Sequence, residues 1–448
     1  MPKPGAAIAI LASAFSLWGQ PAHDPDDVLE QVRARLRGMT ARLPHYTCVQ
    51  TVERHYFKPA GDHKAPPSCD QVSADRKTGR TKLQLYATDR LRLDVAVADG
   101  REIVSWVGAG KFDTRRVDEV VGEGPTGTGA FGGHLVDIFN NPGVHFAYLG
   151  EKAISGRQVL EYRFTVPVQA SNYRIRGAED QWHFTAYDGS FQVDRQTLEL
   201  AWLDLRTDEL TPDTGMCEAG TKLEFQRLRI GESDFLLPRE SELQIVQTDA
   251  KETTNLTTFS SCREYHAEST IRFEEETPDE GAAGAQAAAS FKPLPEGLSL
   301  TLALTARIDT GTAAAGDVVA ARVTHAVHDP KSKATTLIPA NAIARGRIAR
   351  MRHRVGGPDD FVVLLSFDAL EVNGKAIPLF IKLDSVDQFE KAQLMMINRP
   401  RAARAAHVQG PETWGALIFP VNGNHFVVPA GYESLWHTVS PPTSQKPM

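Results

Sequence analysis

Residues 95–104, Val-Ala-Val-Ala-Asp-Gly-Arg-Glu-Ile-Val, decide the fold class of this chain. Apolar side chains alternate on both sides of Asp99-Gly100, a dipeptide that is typical of a two-residue hairpin turn. A period of two directs one set of side chains to a core and the other to solvent. The stretch therefore predicts two antiparallel strands of a sheet with one buried face.

The same period extends along the chain in both directions. Residues 46–56 alternate and predict a long strand, and a helix precedes it because Asp24 is suited to cap a helix and Pro44 to end one. Further short strands follow, interrupted by a glycine-rich stretch at 122–133 and a short helix at 134–140. The predicted fold class is mainly β (α+β): an N-terminal helix plus a curved antiparallel sheet, followed by a second small β-barrel domain.

The chain of 448 residues is too long for one ordinary core. An Ala- and Gly-rich stretch separates the first set of strands from a second set, which contains the hairpin signal Asn373-Gly374. The predicted organisation is a signal peptide (1–22), an N-terminal sheet domain (24–275), an Ala/Gly-rich linker (276–293), a small β-barrel domain (294–384) and an Arg-rich tail with a terminal β-hairpin (385–448).

The N-terminus predicts export to the periplasm or the cell surface. Lys3 precedes the apolar run 6–18, which is too short to span a bilayer and is followed by small residues, as in a secretory signal peptide. The alternative is a disordered cytosolic tail. No later stretch predicts a membrane-spanning helix, so we expect the protein to be peripheral to a membrane at most. The net charge of −7 argues against a nucleic-acid partner.

The four cysteines, Cys48, Cys69, Cys217 and Cys262, predict two disulfides in an exported chain. Four cysteines allow three connectivities. We expect Cys48–Cys69 and Cys217–Cys262, because each pair would join neighbouring strands. The competing interpretation is a zinc site, which needs closely spaced pairs that the sequence does not contain.

Three features of the N-terminal half carry a resemblance to a known family: the helix at 26–43, the hairpin at 95–104 and a second hairpin at 191–200, Phe-Gln-Val-Asp-Arg-Gln-Thr-Leu-Glu-Leu. Over residues 26–275 this pattern resembles the carrier half-barrel of the outer-membrane lipoprotein localisation family. The resemblance implies a curved antiparallel sheet that wraps an apolar groove, with helices lying across its concave side.

The second half carries a different resemblance. Residues 337–348, Leu-Ile-Pro-Ala-Asn-Ala-Ile-Ala-Arg-Gly-Arg-Ile, follow a strand that begins after Gly316-Asp317. Over 297–350 this pattern is similar to SH3-like or secretion-type small β-barrels of envelope complexes. The whole layout resembles uncharacterised exported bacterial proteins, and these relatives imply binding or assembly work.

Two Asp-Thr-Gly triplets, at Asp213 and Asp309, suggest an aspartic protease, in which two such aspartates share one proton. The triplets fall in different predicted domains, and Asp-Gly sequences are also ordinary turns. Gly127–Gly132 fits G-x-G-x-x-G but lacks a preceding parallel strand. His325 and His328 point to different faces of a strand. We therefore predict no enzyme activity and no catalytic, cofactor-binding or metal-binding residues.

Arginines crowd one strand of the second domain and could form a cationic strip. The strip could hold an anionic envelope polymer or a lipid head group, or it could be a solvated edge guarded by charge. Its residues are Arg345, Arg347, Arg350, Arg352 and Arg354.

The leading hypothesis is a noncatalytic exported envelope protein without a cofactor. Its sheet domain would bind an amphiphilic, lipid-like ligand or a lipoprotein partner in a groove, and its second domain would dock to other envelope proteins. One alternative is a structural module for protein–protein contact in the envelope. The other is an aspartic protease that uses Asp309.

Overall fold

The computed structural model describes residues 24–40, 45–61, 68–98, 101–109, 112, 115–154, 156–177, 181–207, 210–264, 294–356, 359–372, 374–386, 415–421 and 423–441. The predicted signal peptide, the predicted linker and most of the Arg-rich tail lie outside the described residues. In the described part of the chain, no helix is long and apolar enough to cross a membrane.

The helices are short apart from the first. They are α1 Pro25–Thr40, α2 Cys69–Lys77, α3 Val117–Val121 and α4 Gly133–Phe139, with 3-10 turns at Val168–Ala170 and Pro212–Thr214.

The strands of the N-terminal half are β1 Tyr46–Pro59, β2 Leu83–Ala98, β3 Arg101–Trp106, β4 His145–Ile154, β5 Arg157–Val166, β6 Arg174–Arg176, β7 Trp182–Phe184, β8 Tyr187–Asp194, β9 Leu200–Thr207, β10 Met216–Ile230, β11 Ser233–Gln247 and β12 Glu252–Glu264. Those of the C-terminal half are β13 Ser299–Leu304, β14 Ile308–Asp309, β15 Val318–Val323, β16 Val327–Asp329, β17 Ser332–Ile338, β18 Ile343–Arg354, β19 Asp360–Val372, β20 Lys375–Pro378, β21 Ile381–Val386, β22 Ala416–Pro420, β23 Val427–Val428 and β24 Glu433–Thr438.

Ten strands of the N-terminal half form one antiparallel sheet with the order β3-β2-β1-β12-β11-β10-β9-β8-β5-β4, and β6 pairs with β7 outside it. The mainly β class is therefore confirmed. Ala98 faces Arg101 across the predicted Asp-Gly turn, so the hairpin predicted at 95–104 is confirmed, while the turn itself lies outside the described residues. In the second predicted hairpin, β8–β9, the Asp194 carboxylate accepts hydrogen bonds from the Gln196 and Thr197 amides.

The helix α1 covers one face of this sheet. Asp24 caps it by accepting a 3.0 Å hydrogen bond from the Asp26 amide, as the sequence predicts. Its buried stripe of Val28, Val32 and Leu36 packs on the strands together with α4. We call the side of the sheet under these helices the covered face.

The C-terminal half forms a second antiparallel arrangement with the order β21-β24-β13-β15-β18-β19, and both β20 and β22 pair with the far side of β19. Its apolar core includes the fully buried Trp436 of β24. The predicted terminal hairpin, in which 416–420 would pair with 425–431, is wrong. Among the described strands, β22 pairs with β19 and β23 pairs with β14, and the apolar side chains of both strands belong to this core.

The two halves join edge to edge. Arg352–Arg354 of β18 pair with Ala87–Asp89 of β2, on the edge of β2 that β3 leaves uncovered. Next to them, Ala315 exchanges backbone hydrogen bonds with Arg90 and Arg92. The junction therefore fills the exposed edge of a long strand, which would otherwise be available for aggregation.

The two disulfides are confirmed, but the predicted pairing is wrong. The bonds are Cys48–Cys262, with Cα atoms 4.0 Å apart, and Cys69–Cys217, with Cα atoms 5.1 Å apart. The reason is the strand order: β1 pairs with β12, the last strand of the sheet in sequence, so Cys48 lies opposite Cys262. Cys69 begins α2, which packs beside the start of β10.

Candidate functional site

The covered face changes character across the sheet. Directly paired residues share a face, so one row runs across the strands as Tyr162-Phe191-Leu203-Leu223-Ser241-Thr257-Val52-Leu91. The adjacent row on the same face runs from β9 to β2 as Leu205-Thr221-Leu243-Asn255-Arg54-Asp89. The part under α1 and α4 is thus aromatic and aliphatic, whereas the part formed by β10, β11, β12, β1 and β2 carries polar side chains.

A glycine-rich segment between α3 and α4 lies over this polar part, and we call residues 122–132 the strap. Asn255 donates a 2.8 Å hydrogen bond to the Pro125 carbonyl, and Arg54 donates one of 2.7 Å to the Glu123 carbonyl. A side chain at Gly124 would collide with Arg54 and Tyr56, and the φ of +79° at this position favours glycine. The glycines of the strap therefore allow its backbone to approach the floor closely.

Two ionisable side chains hold the other end of the strap. The Glu102 carboxylate accepts hydrogen bonds from the Phe131 amide at 2.9 Å and from the Gly129 amide, and burial raises the pKa of this carboxyl group above its ordinary value. Burial lowers the pKa of His134 from 6.5 to about 4, while a hydrogen bond to the Thr128 carbonyl opposes the shift. His134 is therefore a neutral donor at neutral pH.

This shift predicts acid sensitivity. The pKa of His134 is lower in the folded chain than its ordinary 6.5, so its contribution to stability is complete above pH 6.5 and is lost as the pH falls toward 4. We expect wild type to lose about 2 kcal/mol more than a His134→Gln variant between pH 8 and pH 5. Urea unfolding at both pH values measures the difference. A variant of the exposed His145, His145→Gln, should lose as much stability between the two pH values as wild type does. If wild type and His134→Gln lost equal stability, the lowered pKa of His134 would be contradicted.

A small cavity lies between the strap and the polar floor. Its volume is about 30 Å³, which is space for one or two water molecules. The polar side chains Gln50, Thr221, Ser241, Asn255 and Thr257 line it. Its apolar boundary is formed by Phe131 of the strap, whose ring meets that of Phe259 edge to face at 4.6 Å.

A larger, open groove of about 840 Å³ lies beside the C-terminal end of α1. Apolar and polar side chains line it in similar measure. The apolar ones come from α1, the β8–β9 turn, β9 and the β10–β11 hairpin: Leu36, Met39, Leu198, Leu200, Phe235 and Leu236. The polar ones include Arg35, Asp234 and the ion pair between Arg227 and Glu199. The volume lies in the range of small-molecule sites of proteins.

One apolar cluster contributes side chains to both the cavity and the groove. It contains Phe131 and Phe259, which line the cavity, and Phe235, which lines the groove. The disulfide residues Cys48 and Cys262 belong to the same cluster.

A buried ion pair closes the far side of the strap. Arg54 and Asp89 make two hydrogen bonds, at 2.6 and 2.9 Å, with side chains only 4% and 7% exposed. The Tyr56 hydroxyl donates a third bond to Asp89, and burial raises the pKa of Tyr56. The guanidinium of Arg352 lies 4.6 Å over the Tyr56 ring, so the C-terminal half contacts this network.

The five arginines of the predicted strip have different surroundings. Arg345 pairs with Glu371, Arg354 with Asp360, and Arg350 with Glu123 of the strap at 3.0 Å. Arg352 stacks on Tyr56, and Nη1 of Arg347 is buried without a hydrogen-bond partner among the described residues. Binding of an anionic polymer by the strip stays a prediction, and most of its charges already have partners.

The two Asp-Thr-Gly aspartates have separate environments. Oδ1 of Asp309 lies 2.7 Å from Nε2 of His425, and Oδ2 of Asp213 lies 3.3 Å from Nε2 of His183. Each carboxylate is thus paired with its own histidine, whereas a protease needs the two carboxylates to share a proton. In the described ranges, no group of three or more His, Cys, Asp or Glu side chains is arranged to hold a metal ion.

No protein-family model matches the sequence, and no curated protein matches it. Several solved structures are similar to part of this chain at low TM-scores. A LolA superfamily protein from Nitrosomonas europaea has 7% identity and a TM-score of 0.25, with 55% of this chain and 95% of that chain covered. An outer membrane lipoprotein-sorting protein domain from Vibrio parahaemolyticus has 11% identity and a TM-score of 0.25, with 54% and 93% covered. The lipoprotein LppX from Mycobacterium tuberculosis has 9% identity and a TM-score of 0.20, with 54% and 98% covered. Scores of this size define neither a family nor a ligand for this chain.

Proposed function

We propose that this chain is a noncatalytic, exported envelope protein that binds an amphiphilic, lipid-like ligand in the groove beside α1. The observation that carries the proposal is the groove itself: about 840 Å³, open to solvent, and lined by apolar side chains beside charged ones, as an amphiphile requires. Burial of apolar surface supplies about 25 cal/mol per Å². An alkyl chain against Leu198, Leu236 and Met39 would gain this energy, while the head of the ligand stays near polar groups.

Two disulfides support export, because such bonds persist in oxidising compartments and are rare in the cytosol. The leader-like N-terminus agrees with that inference. A lipoprotein partner would use the same groove through its acyl chains.

The C-terminal half would serve a docking role. We infer that it is a small β-barrel, since residues 375–386 pair with β19 through β20 and with β24 through β21. It contacts the N-terminal sheet through the pairing of β18 with β2 and through the ion pair between Arg350 and Glu123 of the strap. A partner bound to the C-terminal half would act on the sheet through these two contacts.

The test is titration of the purified full-length chain with an amphiphile that carries a dodecyl chain, below its critical micelle concentration. We expect Leu236→Asp to weaken binding at least about tenfold, because a carboxylate in the groove would have to be desolvated against the alkyl chain. Leu149→Asp is the matched control, since Leu149 is 56% exposed on β4, outside the groove.

Equal loss in both variants, or binding that Leu236→Asp leaves unchanged, would contradict the assignment of the groove. Absence of binding by the folded wild type would favour the assembly-module alternative instead.

A further inference from the structure

We propose that the polar cavity beneath the strap is the site for the ligand's head group, and that it selects an uncharged head bearing hydroxyl groups. The inference rests on the proposed function, because it assigns the head of the same amphiphile. It goes beyond that function by naming the class of head.

The floor of the cavity contains an unused acceptor. Asn255 is only 2% exposed, and its amide donates to the Pro125 carbonyl. Its Oδ1 atom has no hydrogen-bond partner among the described residues. A buried carbonyl oxygen without a partner is unfavourable, so a ligand that donates a hydrogen bond there is favoured.

The charged groups around the cavity already have partners. Glu102 is the one carboxylate among the described lining residues, and its oxygens accept from the strap amides of Gly129 and Phe131. The neighbouring Arg54 is bound to Asp89. A phosphate would therefore find no available cation among the described lining residues, and an ammonium group would compete with backbone amides for Glu102.

The uncharged groups of the lining suit a hydroxylated head. Gln50 offers both a donor and an acceptor, and so does each hydroxyl of Ser241 and Thr257. A sugar-like hydroxyl also donates and accepts, so it can pair with these groups and with the free oxygen of Asn255 without bringing a charge into a buried site.

We place the chain of the amphiphile in the groove and its head in the cavity, because one apolar cluster contributes side chains to both spaces: Phe131 and Phe259 to the cavity, and Phe235 to the groove. Because the cavity measures about 30 Å³, the head enters only as the strap is displaced. Displacement breaks the hydrogen bonds between the strap and Glu102, Arg54 and Asn255 and uncovers the buried ring of Phe131, so contacts with the head have to replace these interactions.

The experiment compares two amphiphiles with the same chain, n-dodecyl β-D-glucoside and n-dodecylphosphocholine, each below its critical micelle concentration. We expect the wild type to bind the glucoside about tenfold more tightly, which corresponds to one or two good hydrogen bonds. Asn255→Leu should abolish this preference and leave the affinity for the phosphocholine within about twofold. Thr258→Leu, on the same strand but on the exposed opposite face, should retain the preference.

A second, more conservative variant distinguishes the loss of a hydrogen bond in the cavity from a folding defect of Asn255→Leu. Thr257→Val is nearly isosteric, removes one hydroxyl of the cavity and should reduce the preference about threefold. Equal affinities for the two amphiphiles in wild type, or a preference for the phosphocholine, would overturn the head-group inference and leave the proposed function standing. Failure of both amphiphiles to bind would contradict the proposed function.

Discussion

Replacing Arg54 by methionine is expected to lower the free energy of unfolding by about 3–5 kcal/mol. The substitution leaves the Asp89 carboxylate buried with the Tyr56 hydroxyl as its remaining side-chain partner, and it removes the bond to the Glu123 carbonyl of the strap. Urea unfolding of the oxidised chain measures the loss.

The double variant Arg54→Met/Asp89→Leu is the control for this prediction. Removing both charges eliminates the uncompensated buried carboxylate, so we expect the double variant to recover much of the stability lost by the single one. A single variant that unfolds at the same urea concentration as wild type would show that Asp89 is solvated, in conflict with its 7% exposure.

Replacing Cys48 and Cys262 by serine is expected to cost about 2–5 kcal/mol, because the bond closes a long loop in the unfolded chain. The two cysteines are 214 residues apart in sequence. Their bond joins β1 and β12, the first and the last strand of the N-terminal sheet in chain order. Urea unfolding under oxidising conditions measures the change in stability.

Peptide mapping without reduction supplies the control for that result. It should yield a fragment that links Cys48 to Cys262 and another that links Cys69 to Cys217. Fragments that link Cys48 to Cys69 would contradict the strand pairing of β1 with β12.

Local signals in the sequence identify local structure. The Asp-Gly turn at 99–100, the Asn-Gly turn at 373–374 and the cap at Asp24 each predict an element that the structure contains, because the information lies within a few residues. The mainly β class follows from the same short-range alternation. The edge strand β4 leaves no such signal in the sequence, since it is mostly exposed and shows little alternation.

Long-range pairing could not be predicted in the same way. The contacts of β1 with β12 and of β2 with β18 join segments about two hundred residues or more apart, and no local pattern marks them. The predicted disulfide pairing is wrong for this reason, as it assumed that neighbours in sequence are neighbours in the sheet. The predicted terminal hairpin is wrong because β22 and β23 pair with the earlier strands β19 and β14 and not with each other.

The polar part of the covered face did leave a signal in the sequence. In β1 the buried side chains at positions 46, 48, 52 and 56 are apolar or aromatic, while Gln50 and Arg54 occupy the same alternating series. A polar residue in an apolar series indicates a buried polar site. Which partners satisfy it, Asp89 and the strap carbonyls, depends on tertiary contacts that the series does not contain.

Extraction of the purified chain, expressed from its full 448-residue sequence and isolated from the cell envelope without detergent, tests the central claim most directly. Mass spectrometry of the organic phase should detect an acyl-chain lipid in an amount comparable to that of the protein. The Leu236→Asp variant should carry little of it, and Leu149→Asp should carry the wild-type amount. A folded, disulfide-bonded wild type that yields no lipid, and that binds no dodecyl amphiphile afterwards, would contradict the proposed function.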